Sequence, residues 1–178
     1  MGIKIGANIG TKNLVITALL IALSFVGSNI RVFGSIAFDS LPGFLAALLL
    51  GPVNGAAIGF LGHLFTALVS GFPLTVPIHM VIAASMAITM LGFGFVHKAL
   101  KNVVSWVNNL IITGIVGIVM NGPVSLAFSA GAMAFIVGRE AAFGLLVLLP
   151  PLVLASVANV ILSIVLFKTL EKEAKKIL

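Results

Sequence analysis

Few residues in this chain have side chains able to do chemistry. Asp39, His63, Thr66 and His79 are the most suggestive, with Arg31, Phe72 and Asn121 near them in the pattern of apolar runs. Asp39 is the only acidic residue before Glu140, and it sits where the chain re-enters an apolar stretch. His63 and Thr66 are three residues apart, so on a helix they share a face. His79 opens the next apolar run, after Gly71-Phe72-Pro73-Leu74-Thr75. Polar groups at membrane depth usually line a cavity or pair with one another, and together these can close over an outward pocket. Each has a plainer reading. Asp39 or Ser40 can be a helix N-cap, each histidine can be a bonded packing residue, and Arg139 and Glu140 read as loop charges. Asp39 is the strongest ligand-binding candidate.

Catalytic patterns are missing. There is no G-x-x-x-x-G-K-[ST], since Gly92-Phe-Gly94-Phe-Val-His97-Lys98 lacks the spacing, so no phosphate cradle is expected. No paired carboxylates fall within an apolar run, which argues against an acidic proton relay or a metal-dependent transferase. Three histidines without H-E-x-x-H make a poor zinc site, and there are no cysteines to supply thiolates or disulfides. No catalytic residue, metal or cofactor is expected.

The elements that position these residues follow from composition. The chain has 178 residues, 61% hydrophobic and 8% charged. Soluble domains carry about 25% charged residues, so lipid must solvate much of this surface. The net charge of +6 does not indicate nucleic acid, because the charges cluster at the ends of apolar runs. A spanning helix needs roughly 20 apolar residues. The runs predict an all-α membrane protein of six transmembrane helices in one domain over residues 1–178, at about 12–30, 41–51, 53–70, 78–97, 103–121 and 145–170. Asn121-Gly122-Pro123 is expected to stop the fifth helix, and Pro150-Pro151 to lie in the first turns of the sixth. The first run lacks a cleavage site and is expected to remain as a helix.

The run 41–51 is short for a span, and charge decides its status. With six crossings and an inside N-terminus, Lys4, Lys12, Lys98, Lys101, Lys168, Lys172, Lys175 and Lys176 lie inside, and only Arg31 and Arg139 outside. Merging this run with the next would put the basic tail outside, against the positive-inside rule. Both termini are therefore expected in the cytoplasm. Gly55, Gly59 and Gly62 form a small-residue stripe, which reads as internal packing or as a docking face. Ala18 and Ala22 form a second small pair, whose spacing does not decide between the two. Trp106 reads as an interfacial anchor, and Asn159 as an interhelical hydrogen bond.

The order of Ala37-Phe-Asp39-Ser-Leu-Pro42-Gly43-Phe, Leu-Gly51-Pro52-Val-Asn-Gly55 and Gly62-His63-Leu resembles the substrate-binding S-components of energy-coupling factor vitamin transporters. Ala18-Leu-Leu-Ile-Ala22 looks like that family's A-x-x-x-A contact to its coupling subunit. The resemblance implies a non-catalytic binding subunit in a prokaryotic plasma membrane. Its partners would be a transmembrane coupling subunit and two ATPase subunits. Gly62-His63-Leu-Phe-Thr66-Ala with Ser70-Gly71-Phe72-Pro73-Leu-Thr75-Val-Pro77-Ile-His79 is similar to members associated with cobalamin precursors, notably alpha-ribazole. The resemblance then implies substrate binding by Asp39, His63, Thr66, Phe72, His79, Asn121 and Arg31. Pantothenate or cobalamin is an alternative ligand, pantothenate favouring an arginine. A stand-alone facilitator, a membrane enzyme and a structural assembly factor are the competing functions.

Overall fold

The computed structural model describes residues 10–32 and 36–177. The expected Lys4 lies outside them. Among the described residues eight α-helices run in chain order: α1 (Thr11–Gly27), α2 (Leu41–Leu49), α3 (Pro52–Ser70), α4 (Val76–Leu100), α5 (Trp106–Val119), α6 (Ser125–Ile136), α7 (Arg139–Leu145) and α8 (Leu149–Ile177). A π-helical turn, Met120–Val124, joins α5 to α6, and a 3-10 turn, Leu146–Leu148, joins α7 to α8. Between α1 and α2 a minimal antiparallel ladder pairs β1 (Arg31–Val32) with β2 (Ile36–Ala37).

Among the described residues four helical stretches are long and apolar enough to cross a membrane: Pro52–Ser70, Val76–Leu100, Trp106–Ile136 and Arg139–Ala174. Helix α1, with 17 residues, is a shorter apolar helix. The outer surface is rich in exposed apolar side chains, among them Phe135, Phe143, Val147 and Leu154. Water would not tolerate such a surface and acyl chains would, so lipid solvates it.

Helix α2 is the centre of the bundle. Pro42 through Leu48 are all buried, enclosed by α1, α3, α4 and α8. Nine residues cannot span a bilayer. With protein on every side, such a short segment is still stable at membrane depth. Leu50 and Gly51 close it into a hairpin with α3, and Gly51 adopts φ 100°, a conformation open to glycine. Phe44 stacks edge-on against Phe93, with centroids 4.8 Å apart, and Ile58, Met90 and Val160 complete the central core.

The glycine stripe serves this packing. A Cβ on Gly55 would lie 2.6 Å from the Ala47 Cβ, one on Gly59 would lie 2.8 Å from Met90, and one on Gly62 would lie 3.0 Å from Ser24. The stripe therefore faces α2, α4 and α1 within the chain. Ala18 and Ala22 instead lie exposed on α1.

One expectation is corrected. Asn121-Gly122-Pro123 does not stop the fifth helix. The helical path continues into α6 through the π-turn, and residues 106–136 form one stretch. Proline lacks an N–H and crowds the preceding turn. The wider π-turn absorbs both defects without ending the helix. Residues Ser125–Ile136, which fall outside the six expected helices, are thereby helical. Pro150 and Pro151 do fall in the first turn of α8.

Candidate functional site

Asp39 follows β2 and directly precedes Ser40, the residue at the N-terminus of α2. Ser40 makes no side-chain capping bond. The Leu41 N–H is satisfied from α8 instead, by Asn159 Oδ1 at 3.0 Å. Asn159 Nδ2 donates to the carbonyls of Ala37 (3.1 Å) and Ala155 (2.9 Å). One buried amide thus clasps β2 and the start of α2 to α8, with both its hydrogens and its carbonyl oxygen engaged by backbone groups. The Asp39 side chain is released from capping.

It turns toward α3. Thr66 Oγ1 donates to Asp39 Oδ2 at 2.5 Å, and His63 Nδ1 faces the same oxygen across 3.7 Å, beyond hydrogen-bond length. His63 Nε2 meets His79 Nδ1 at 3.1 Å, and the Leu74 N–H donates to His79 Nε2 at 3.4 Å. These bonds run in one direction. Because His79 Nε2 accepts, a neutral His79 carries its proton on Nδ1 and donates it to His63. The proton of a neutral His63 then lies on Nδ1, toward Asp39. The chain connects the α3–α4 loop to the carboxylate. That loop holds Phe72 at φ 51° and Thr75 at φ 84°, the latter a strained conformation for a β-branched residue.

Asp39 and His63 line a cavity of about 70 Å³ with Ala37, Ser40, Leu74, Ile82, Met86, Asn121, Ser125, Leu126, Ser129, Leu145, Leu148, Leu152, Ala155 and Asn159. The π-turn delivers Asn121, which is buried with Gly122. Asn121 Nδ2 donates to Ser156 Oγ at 2.9 Å, while Asn121 Oδ1 is buried without a partner. Pockets for small organic ligands usually measure about 300–1,000 Å³, so admitting one requires this cavity to widen.

Of the residues singled out from sequence, Asp39, His63 and Asn121 line this cavity, and Thr66 and His79 are linked to it by hydrogen bonds. Phe72 stands edge-on to His79 at 5.7 Å and is not among the lining residues. Arg31 lies in β1, and its side chain is outside the described residues. Arg139 and Glu140, expected to be loop charges, are instead helical: they open α7, where both are exposed. Ser125, Ser129 and the leucines of α6 to α8 were not anticipated, because residues 122–144 fall between two expected helices and nothing in the apolar start of the last one marks an inward face. Only the π-turn shows which face turns inward. Among the described residues no cluster of three or more His, Cys, Asp or Glu is arranged to hold a metal.

A larger groove of about 650 Å³ lies at the opposite end, lined by Gly51, Pro52, His97, Lys98, Lys101, Trp106, Asn109, Phe167 and Glu171, among others. Its buried polar groups are bonded to one another. His97 Nδ1 meets Asn109 Oδ1 at 3.1 Å, Asn109 Nδ2 donates to the His97 carbonyl at 2.9 Å, and the Thr113 hydroxyl donates to Asn109 Oδ1 at 3.0 Å. This network joins α4 to α5. Lys168 stands 5.3 Å over the Trp106 ring, as befits an interfacial aromatic. The smaller cavity is the better ligand site of the two, because it combines a buried carboxylate with a residue whose acceptor is unpartnered.

A buried, mostly apolar cavity with a few convergent polar groups, inside a lipid-solvated helical bundle, defines a membrane protein that binds a small molecule. Residues 12–171 match the model of the family described as ECF transporter, substrate-specific component, and the chain belongs to that family. No curated protein and no solved structure matches it. Family membership makes it a transport component, whose role is to supply substrate specificity rather than catalysis.

Proposed function

We propose that the chain is the S-component of an ECF-type importer that captures a vitamin or vitamin precursor, best matched by alpha-ribazole, from outside the cell. The observation that carries this reading is the position of the cavity. Asp39, His63 and Asn121 gather at one end of the bundle. Lys98, Lys101, Lys168 and Lys172 belong to the other, at the close of α4 and in the last turns of α8. The positive-inside rule puts the lysines in the cytoplasm and the cavity toward the outside. We take residues 1–178 as one domain of six membrane-embedded helices, with both termini cytoplasmic, in a prokaryotic plasma membrane. Helix α2 is the short second one, and the α5–α6 and α7–α8 pairs each count as one.

A ligand with an apolar ring and several hydroxyls suits the lining. Leu126, Leu145, Leu148 and Leu152 would cover the ring, while Asp39, His63 and Asn121 would meet the hydroxyls. Thr66 and His79 would hold Asp39 and His63 in place, and Phe72 and Arg31 would act from the rim. A stand-alone facilitator fits less well. Below Asp39 the described core is dominated by the buried apolar side chains of Phe44, Ile58, Met90 and Phe93, and buried polar residues there, such as Asn109 and Thr113, are hydrogen-bonded to each other. Release of the ligand into the cytoplasm would then require a coupling subunit, reached through Ala18 and Ala22, and two ATPase subunits.

The test is a thermal-shift screen of detergent-purified protein against water-soluble vitamins and their precursors, alpha-ribazole included. A ligand that binds only the folded state raises apparent stability by mass action. A large shift with alpha-ribazole is expected. No shift with any compound on a folded sample, together with no copurification of coupling or ATPase subunits, would refute the assignment.

A further inference from the structure

We infer that the cavity takes a ligand that offers hydrogen-bond donors and carries no carboxylate or phosphate: an uncharged or cationic hydroxyl- or amine-bearing molecule with an apolar body. The inference rests on the S-component reading and narrows it to a class of substrate.

Asn121 carries the argument. The Ser156 hydroxyl donates to the Leu152 carbonyl at 2.8 Å, so the Ser156 oxygen is the partner that accepts from Asn121 Nδ2. The amide orientation is thereby set, and its carbonyl oxygen is left over. That oxygen is buried and unpartnered, on a residue only 4% exposed that lines the cavity, and it comes within reach of a ligand once the cavity widens. A buried acceptor without a donor is costly, and a ligand hydroxyl or amine would satisfy it.

The other polar groups point the same way. Asn159 has spent both amide hydrogens and its carbonyl on backbone groups. Ser129 donates its proton to the Ser125 carbonyl at 2.8 Å, which leaves its oxygen as an acceptor. Asp39 accepts from Thr66. His79 positions His63 so that the Nδ1 proton faces Asp39 rather than the ligand. The hydroxyls of Ser40 and Ser125 can donate or accept, so they do not discriminate. No lysine or arginine is among the described lining residues. An anionic group on the ligand would meet Asp39 in a low-dielectric site without a compensating cation, and like charges repel strongly there.

Matched pairs of compounds test this on the wild-type protein. Pantothenol and pantothenate differ by an alcohol in place of a carboxylate. Alpha-ribazole and its 5′-phosphate differ by one phosphate. The uncharged member of at least one pair is expected to bind at least tenfold more tightly than its anionic counterpart, by thermal shift and calorimetry. Asn121→Leu is expected to weaken that binding about tenfold, and Asp39→Asn to narrow the gap within the pair. An anionic member that binds as tightly as its partner, or more tightly, overturns the inference. Loss of that anion's binding in Arg31→Ala would identify the cation responsible. If none of the four binds, the class is also overturned, and copurification separates the two failures. Retained assembly with the coupling and ATPase subunits leaves the S-component reading intact, and lost assembly removes that reading too.

Discussion

A carboxylate kept from water must be surrounded by donors, and Asp39 is only 3% exposed. Thr66 supplies a direct hydroxyl bond, and His63 stands behind it with its orientation set by His79. Asp39→Ala is expected to weaken ligand binding at least tenfold while the ligand-free protein keeps its fold, as read by calorimetry and by circular dichroism. Unchanged affinity would make Asp39 a packing residue. Asn159 belongs to the opposite category. Asn159→Leu would leave the Leu41 N–H and the Ala37 carbonyl unpaired in the bundle interior, at a cost of roughly 1–3 kcal/mol for each unsatisfied group. A markedly lower unfolding temperature is expected even without ligand. At this scale the polar residues were legible in the sequence because they are so rare. Their partners were not, since Asn159 reaches residues 118 and 122 positions away.

Small residues divide into two kinds at the scale of the helix. Gly59 lies between α3 and α4, where a side chain would meet Met90 and the Met86 carbonyl. Gly59→Leu is expected to destabilise the bundle and lower both yield and unfolding temperature, because an overpacked core must move backbone. Ala18 and Ala22 face outward, so bulky residues there cost the isolated protein little. Ala18→Trp and Ala22→Trp are expected to spare binding of alpha-ribazole and to abolish its uptake in cells that carry the complete transporter. Normal uptake by both variants would remove the docking role. The sequence offered both stripes with the same spacing rule, and spacing alone does not distinguish a face packed inside the chain from one turned outward. The π-turn was missed for a related reason. Asn121-Gly122-Pro123 has the composition of a helix stop, and only the packing of Gly122 against Val153 and Ser156 makes a continued helix the better solution.

At the scale of the whole molecule, the absence of cysteine makes orientation directly measurable. Pro73→Cys in the α3–α4 loop and Lys101→Cys after α4 each introduce a single thiol at an exposed position. A membrane-impermeant maleimide is expected to label Pro73→Cys in intact cells and Lys101→Cys only after permeabilisation. The reverse pattern would place the cavity on the cytoplasmic side and overturn the proposed direction of capture.

What the sequence by itself determined is the solvent and the orientation signal. Apolar runs of spanning length and lysines at their ends are one-dimensional properties, set by hydrocarbon thickness and by charge. It also marked Asp39, His63, Thr66, His79 and Asn121, because polar groups at membrane depth have to be satisfied and so stand out. Only the tertiary structure decided which of them meet. It showed that α2 is a buried plug, that Asn159 rather than Ser40 caps it, and that Asn121 ends with its carbonyl oxygen free. Each of these depends on hydrogen bonds and close approach between segments distant in the chain, and such pairings are fixed by packing in three dimensions, which no local pattern encodes.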